Sequence, residues 1–244
     1  MLEDNKHQQP SAAILVIGDE ILSGRTRDLN SHFVSKKLTE IGIKLSEIRV
    51  VPDSKSEIVS SINFVRAKYR YIFTSGGIGP THDDITADSI AEAFNIGISV
   101  RDDAKRILAT NYPNGEKDLN DSRLRMARIP DGATLIDNPI SKAPGFIVSN
   151  VYVMAGVPKI FEAMFNSIVP SLNGGPPLLS VTVKLIRVES EIASSLKELA
   201  EQFPEVSIGS YPFNEKGIFG TNVVVRHTES KLLKKLEKLL DKFN

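Results

Sequence analysis

The clearest chemical pattern in the chain is a glycine- and aspartate-rich turn between a predicted buried strand and a predicted helix. It reads Thr74-Ser75-Gly76-Gly77-Ile78-Gly79-Pro80-Thr81-His82-Asp83-Asp84-Ile85-Thr86. Glycines let backbone N–H groups approach a phosphate closely, and the helix N-terminus adds partial positive charge. Two carboxylates beside a phosphate are unfavourable unless a cation separates them, so Asp83 and Asp84 indicate Mg²⁺. The turn therefore predicts a site for a phosphorylated, nucleotide-like ligand.

Simpler interpretations of these residues remain open. Glycine is the usual residue of tight turns, and aspartate is a common helix cap. The strand–turn–helix context and the paired acids favour a ligand site. His82 could assist proton transfer or could be an ordinary surface histidine.

Two further acidic loops follow predicted strands. The loop at residues 18–24 reads Gly-Asp-Glu-Ile-Leu-Ser-Gly, and Asp53 follows the next strand. Because parallel strands end at one edge of a sheet, we expect Asp19, Asp53 and Asp84 to face one crevice. A helix-capping role for Asp53 is an equally good interpretation, as is a solvated loop for Asp19 and Glu20.

Alternating strands and helices are predicted to position these loops. Short apolar or alternating runs predict strands at residues 12–17, 43–51 and 69–74. The segment 18–27 is predicted to be a polar loop. The helices are expected to begin at Asp28, at the Ser54–Glu57 capping box and at about Asp84. This alternation predicts an α/β fold, with three α/β/α layers around a mainly parallel sheet.

The rest of the chain predicts a hairpin, a boundary and a small second domain. Residues 99–130 have a weakly periodic helical pattern, and a hairpin is expected at Ser149-Asn150, followed by a helix from Pro158 to Val169. Gly and Pro cluster at residues 173–177, which predicts a linker. Beyond it, the pattern predicts a βαββα module. The expected domains are a flexible tail at 1–10, an α/β domain at 11–172 and an α+β domain at 178–244.

Composition excludes several classes of protein. The 244 residues are 41% hydrophobic and 25% charged, which is typical of a globular protein. Thirty basic residues balance thirty acidic ones, which argues against a broad nucleic-acid surface. Without cysteine there is no disulfide framework and no thiolate zinc site. The first ten residues lack a signal-peptide layout, and no apolar run could span a bilayer, so we expect a soluble, cytoplasmic protein.

The order of the motifs resembles the molybdopterin-binding domain of the MoaB/Mog proteins and, more closely, the CinA (competence/damage-inducible) family. The likeness is carried by the 18–24 loop, by Asp28-Leu29-Asn30, and by the ungapped run from Gly76 to Thr86. Further segments that match are Asn138-Pro139, Ala143-Pro144-Gly145-Phe146 and Gly156-Val157-Pro158. Residues 208–212, Ile-Gly-Ser-Tyr-Pro, resemble the module that follows this domain in CinA and in eukaryotic FAD synthases.

The resemblance implies a site and a cofactor. It implies that Asp53 and Asp84 are catalytic and hold Mg²⁺ or another divalent cation. The implied ligand-binding residues are Gly18, Asp19, Glu20, Ser23, Asn30, Ser75, Gly76, Gly77, Gly79, Pro80, Thr81, Asp83, Thr86, Asn138, Pro144 and Gly145. Relatives form dimers and trimers, so a homo-oligomer is expected, without a nucleic-acid or membrane partner.

Three functions are compatible with the resemblance. The first is metal-dependent cleavage of a nucleotide pyrophosphate such as ADP-ribose or FAD. The second is the binding or adenylylation of molybdopterin in molybdenum-cofactor biosynthesis, and the third is a nucleotide-binding module without turnover. The sequence departs from many relatives at Ser141-Lys142, where they carry Gly-Thr, and at Ala155, where they carry Pro. Because the chain ends near residue 244 without a carboxy-terminal amidase domain, deamidation of nicotinamide mononucleotide is not expected.

Overall fold

The computed structural model describes residues 9–243 and divides the chain into two compact units between Gly175 and Pro176. This division lies within the predicted linker at residues 173–177. Of the predicted flexible tail, residues 1–8 lie outside the described part of the chain.

The first unit alternates strands and helices. Its strands are β1 (Ser11–Ile17), β2 (Lys44–Val51), β3 (Tyr71–Ser75), β4 (Ile98–Val100), β5 (Arg128–Pro130), β6 (Thr134–Ile136), β7 (Gly145–Val148) and β8 (Val151–Met154). Its helices are α1 (Asp19–Leu22), α2 (Asn30–Glu40), α3 (Lys55–Lys68), α4 (Thr86–Phe94), α5 (Asp102–Ala109), α6 (Asp121–Arg125) and α7 (Pro158–Ile168).

Six of these strands form one mixed sheet in the order β2-β1-β3-β8-β7-β6. The pairs β1–β2, β1–β3 and β3–β8 are parallel, whereas β7 is antiparallel to both of its neighbours. Strand β6 therefore runs in the same direction as the four parallel strands. The predicted α/β fold and the hairpin at Ser149-Asn150 are both confirmed.

Apolar side chains of β1 build a core on each face of the sheet. The odd-numbered residues from Ala13 to Ile17 pack with α3 and α4, and the even-numbered residues from Ala12 to Val16 pack with α2 and α7. A strand buried on both faces needs a continuous apolar run, which is what residues 12–17 provide. Helices therefore cover both faces of the sheet, as predicted.

The structure corrects several local predictions. The predicted loop 18–27 contains helix α1, and residues 99–130 form β4, α5, α6 and β5 instead of a mainly helical stretch. A turn through Asn114-Gly115, with φ of +62° at Gly115, interrupts the helical pattern there. Ser54 precedes α3 but makes no side-chain cap, and its hydroxyl instead pairs with that of Ser56 (3.1 Å).

The second unit consists of β9 (Leu179–Leu185), α8 (Glu189–Gln202), β10 (Ser207–Glu215), β11 (Ile218–His227) and α9 (Ser230–Leu240). The predicted βαββα order is confirmed. The three strands form an antiparallel sheet in the order β10-β11-β9. Its core joins sheet residues such as Val183 and Val223 to Leu233, Leu236 and Leu240 of α9. Within residues 9–243, no helix is long and apolar enough to cross a bilayer.

Candidate functional site

The strand directions bring the predicted site loops to one edge of the large sheet. Strands β1, β2, β3, β8 and β6 all end there, and β7 begins there. A cleft of about 600 Å³ opens at this edge. Its lining residues are Ile17, Glu20, Thr26, Asp53, Gly76, Gly77, Ile78, Gly79, Pro80, Asp83, Asp84, Met126, Asn138, Ser141, Ala143, Ala155, Gly156, Val157, Pro158 and Ile160. Ligands of open α/β sheets bind at this kind of position.

The glycines after β3 line the cleft. At two of them, neighbouring protein atoms leave no space for a side chain. Gly76 and Gly77 have φ of +109° and +68°. A side chain on Gly76 would collide with the carbonyl oxygen of Ile17, and one on Gly77 would collide with Thr86 Oγ1. Glycine is therefore needed at both positions whether or not a phosphate binds.

Thr86 holds this glycine turn in place through two hydrogen bonds. Its hydroxyl donates to the carbonyl oxygen of Gly76 (3.0 Å), and its backbone N–H donates to that of Gly77 (2.9 Å). Thr86 is fully buried and does not line the cleft. We conclude that the predicted ligand-binding residue Thr86 holds the shape of the turn.

Asp53 is the half-buried carboxylate of the cleft. Its Oδ2 accepts a hydrogen bond from the backbone N–H of Asp19 (3.0 Å). Burial raises the pKa of Asp53 above its usual 3.8, and the negative charges of Asp19, Glu20 and Asp83 raise it further, against the effect of that hydrogen bond. The charges of three carboxylates thus act on Asp53, and two of them, Glu20 and Asp83, were not part of the crevice prediction.

Asp83 and Asp84 follow the glycine turn in sequence, and Thr81 holds Asp84. Thr81 donates its backbone N–H (2.8 Å) and its hydroxyl (2.6 Å) to Asp84 Oδ2. Helix α4 begins only at Thr86, so Asp84 closes the 81–84 turn, and the prediction that it opens the helix is wrong. Hydrogen bonding within this turn lowers the pKa of Asp83, and the charge of Arg125 acts in the same direction.

The charges at the cleft are unbalanced. Over residues 9–243, the lining side chains include Glu20, Asp53, Asp83 and Asp84 but no lysine, arginine or histidine. His82 is almost completely exposed. The described residues contain no cluster of three or more acidic or histidine side chains that could bind a metal ion without other ligands. A cation here would take one or two carboxylates and complete its shell with ligand oxygens and water, as Mg²⁺ commonly does.

Asn138 shapes the loop on the far side of the cleft. Its Nδ2 donates to Ser141 Oγ (2.7 Å) and to the carbonyl oxygen of Ala143 (2.8 Å), while its Oδ1 accepts from the backbone N–H groups of Ile140 and Ser141 (3.2 Å each). All four of its hydrogen-bonding positions are therefore used within the loop. Asn138 lines the cleft, but its amide has no capacity left for a ligand.

Other predicted ligand-binding residues lie around the cleft without lining it. Gly18 and Asp19 lie beside Asp53, and Thr81 binds Asp84. Asn30 and Ser75 line a small recess next to the cleft, Pro144 lines a hollow that Asp84 also lines, and Gly145 is buried at the start of β7. Ser23 ends α1 at an exposed position.

Sequence reasoning missed the apolar side of the cleft. Ile78, Met126, Ala143, Val157 and Ile160 line it together with Pro158. The segments Ala143–Phe146 and Gly156–Pro158 were recognised as motifs, but nothing in the sequence pointed to Met126. Lys142, which departs from the sequence of many relatives, adopts a left-handed conformation (φ +58°) and is not among the lining residues. Ser141 lines the cleft and accepts from Asn138.

Comparison with known proteins gives two domain matches. Residues 13–174 match the model of a probable molybdopterin binding domain, and residues 177–244 match the middle domain of FAD synthase. A probable FAD synthase of Caenorhabditis elegans is 34% identical, over 91% of this chain and 47% of that protein. A protein of Archaeoglobus fulgidus is 34% identical, over 82% of this chain and 84% of its own. The chain thus spans about half the length of the FAD synthases that it matches.

One solved structure supports the same relationship. The crystal structure of the protein CinA, of unknown function, from Thermoplasma acidophilum superposes with a TM-score of 0.62 at 32% identity. The match covers 66% of this chain and 97% of that one. Together, these comparisons confirm the resemblance drawn from the sequence motifs.

Proposed function

Because the chain belongs to the family of the probable molybdopterin binding domain, we propose that its cleft binds a nucleotide pyrophosphate and hydrolyses it with a divalent cation. The match of residues 177–244 to a middle domain of FAD synthase supports a nucleotide-related activity. Fold alone does not set function, so the proposal depends on the residues of the cleft.

The observation that carries the proposal is the charge of the cleft. Four carboxylates and no cationic side chain line it among the described residues. Arg125 contacts the backbone of Asp84 from outside the cleft, but a pyrophosphate beside four carboxylates is unfavourable unless a further cation lies between them. The raised pKa of Asp53 shows the same imbalance, since neighbouring carboxylates contribute to it. The residues therefore fit a divalent cation that enters with the phosphates.

Asp53 and Asp84 are the residues that we propose to hold this cation. When bound, the cation would offset charge on the phosphate oxygens and make a coordinated water more acidic. The backbone around Gly77 and Gly79 would contact the phosphates.

The apolar side of the cleft also supports a second candidate function. Ile78, Met126 and Ile160 offer a surface for a flat ring, which the adenine of a nucleotide and the pterin of molybdopterin both have. Molybdopterin binding or adenylylation therefore remains the alternative to hydrolysis. Binding without turnover is the third possibility, and a homo-oligomer, dimer or trimer, is part of each proposal.

A hydrolysis screen tests the proposal directly. The full chain is incubated with ADP-ribose, FAD, NAD or ATP and with Mg²⁺, Mn²⁺ or Co²⁺, and AMP release is measured by chromatography. We expect AMP from at least one pyrophosphate and its loss on chelation. Molybdopterin adenylylation without AMP release from the dinucleotides would favour the alternative function. Tight ligand binding without either reaction would favour a binding module.

A further inference from the structure

The hollow that Asp84 and Pro144 line adjoins the cleft. The residues that line both spaces are Ile78, Gly79, Asp84 and Met126. Two arginines also line the hollow: Arg125 ends α6, and Arg128 begins β5. Among the described residues, positive charge thus lies beside a cleft whose own charged lining residues are all acidic.

The two arginines differ in what compensates their charge. Arg128 forms an ion pair with Asp88 of α4. Arg125 instead donates from Nη2 to the backbone carbonyl oxygen of Asp84 (3.1 Å). Within residues 9–243 its guanidinium makes no other hydrogen bond and no ion pair. A carbonyl oxygen has only a partial charge, so most of the positive charge of Arg125 stays uncompensated.

The position of Arg125 lets this charge act on the cleft. The side chain is half-buried, and its Nε is buried without a partner. A charge with little water around it is screened less than an exposed one. Hydrogen bonding within the turn is the main cause of the lowered pKa of Asp83, and the charge of Arg125 adds to it although no ion pair joins the two. Because Asp83 lines the cleft, the field of Arg125 extends to the cleft.

We infer that Arg125 determines how tightly the cleft binds an anionic ligand, because its unpaired charge attracts the phosphates of the nucleotide across Gly79 and Asp84. This inference depends on the proposed nucleotide function and adds a residue to it. One divalent cation offsets only two of the four negative charges that line the cleft. Arg125 offsets part of the rest through space, without contact with the ligand.

A neutral variant at two salt concentrations tests this inference. The full chain and Arg125→Gln are titrated calorimetrically with α,β-methylene-ADP and Mg²⁺, since the methylene bridge prevents turnover. Glutamine can still donate to the carbonyl oxygen of Asp84, so the variant mainly removes charge. We expect its dissociation constant to be about fivefold higher at roughly 0.05 M NaCl. At roughly 0.5 M the difference should fall below about twofold, because the Debye length shrinks from roughly 14 Å to roughly 4 Å.

Arg123→Gln is the matched control. Arg123 lies on the same helix, is also half-buried and donates to a backbone carbonyl oxygen, that of Asp118, but lines neither the hollow nor the cleft. Its variant should bind within about twofold of the unmodified chain at low salt. Arg125→Lys keeps the charge and should also stay within about twofold.

Several results would overturn the inference. Equal affinities of Arg125→Gln and the unmodified chain would do so, as would a loss of the same size at both salt concentrations, which indicates a structural role. An equal loss in Arg123→Gln would show an effect of net charge alone, and an equal loss in Arg125→Lys would show that charge is not the cause. In each of these cases nucleotide binding, and with it the proposed function, still stands. If the unmodified chain does not bind the nucleotide, both proposals fail. If Arg125→Gln does not fold, Arg125→Met, which keeps an apolar stem, replaces it.

Discussion

The carboxylate of Asp53 accepts a hydrogen bond from the backbone N–H of Asp19, with 3.0 Å between Oδ2 and N. This bond joins the loop after β2 to the first turn of α1. It holds Asp53 in the cleft although neighbouring carboxylates oppose its ionisation. Two acidic loops that are 34 residues apart in sequence thus form one arrangement at the sheet edge.

Asp53→Asn should abolish most of the turnover while preserving the fold. The carboxamide oxygen can still accept from Asp19, but a neutral side chain neither binds a divalent cation well nor accepts a proton. We expect AMP release to fall by about 100-fold or more and Mg²⁺ to lose its effect on thermal stability. Asp137→Asn is the control, an exposed acid that follows β6 at the same edge but does not line the cleft. Unchanged activity in Asp53→Asn would remove this residue from the mechanism.

The raised pKa of Asp53 predicts how stability depends on pH. Between the unfolded value of 3.8 and the higher folded value, the folded state binds more protons, so this residue makes stability fall as pH rises. Above the folded pKa, Asp53 is ionised in both states, and its charge destabilises the folded state relative to the unfolded state. Asp53→Asn should therefore be the more stable protein at neutral pH, by about 0.5 kcal/mol or less, and the difference should vanish below pH 3.8. Urea denaturation of both proteins across this range measures the difference, and a less stable variant at neutral pH would contradict the prediction.

Asp84→Asn should also reduce turnover without unfolding the protein. The amide oxygen can retain both bonds from Thr81, so we expect stability to change by about 0.5 kcal/mol or less. The change removes one of the two proposed cation-binding charges. Asp118→Asn is a suitable control, because Asp118 closes a similar turn with Asn114 and lies outside the cleft. Wild-type AMP release by Asp84→Asn would show that this carboxylate only shapes the turn.

Gly77→Ala should be far more damaging than Gly24→Ala. Both glycines have positive φ, +68° and +73°, so both substitutions incur a backbone cost of about 1–2 kcal/mol. At Gly24 an added Cβ meets no atom within 4 Å, whereas at Gly77 it collides with Thr86 Oγ1. We therefore expect Gly77→Ala to lose at least about 1 kcal/mol more and to weaken nucleotide binding. Equal free energies of unfolding for the two variants would contradict the packing role of Thr86.

Residues 1–175 should fold without the second unit. The two cores of the first unit draw all their residues from positions 12–172, and the core of the second unit draws its own from positions 181–243. A fragment that keeps a complete core should unfold cooperatively. Hydrogen exchange of the 1–175 fragment should show protected amides in β1, β3 and β8. Broad loss of that protection, compared with the full chain, would show that the first unit needs the second.

Local patterns were enough to predict most of the fold. The apolar run of residues 12–17 predicts a strand covered on both faces, and the hairpin at Ser149-Asn150 and the βαββα order of the second unit are confirmed. Such features depend on side-chain periodicity and turn residues that are close together in sequence. Helix capping was harder to predict: Asp28 caps α2 through its side chain, whereas Ser54 does not cap α3. The first backbone N–H groups of a helix can pair with several acceptors, and the sequence does not show which acceptor they choose.

The sequence also located the acids and glycines of the cleft, because they follow predicted strands. Only the tertiary structure decided what these residues contact. It showed that Thr86 supports the glycine turn, that Asn138 is fully used by its own loop and that Arg125 holds the carbonyl group of Asp84. It also placed Met126 in the cleft and showed that, among the described residues, four carboxylates and no cationic side chain line it. Hydrogen-bond partners, burial and the pKa of Asp53 depend on distances between segments far apart in the chain, and those distances arise only when the sheet assembles.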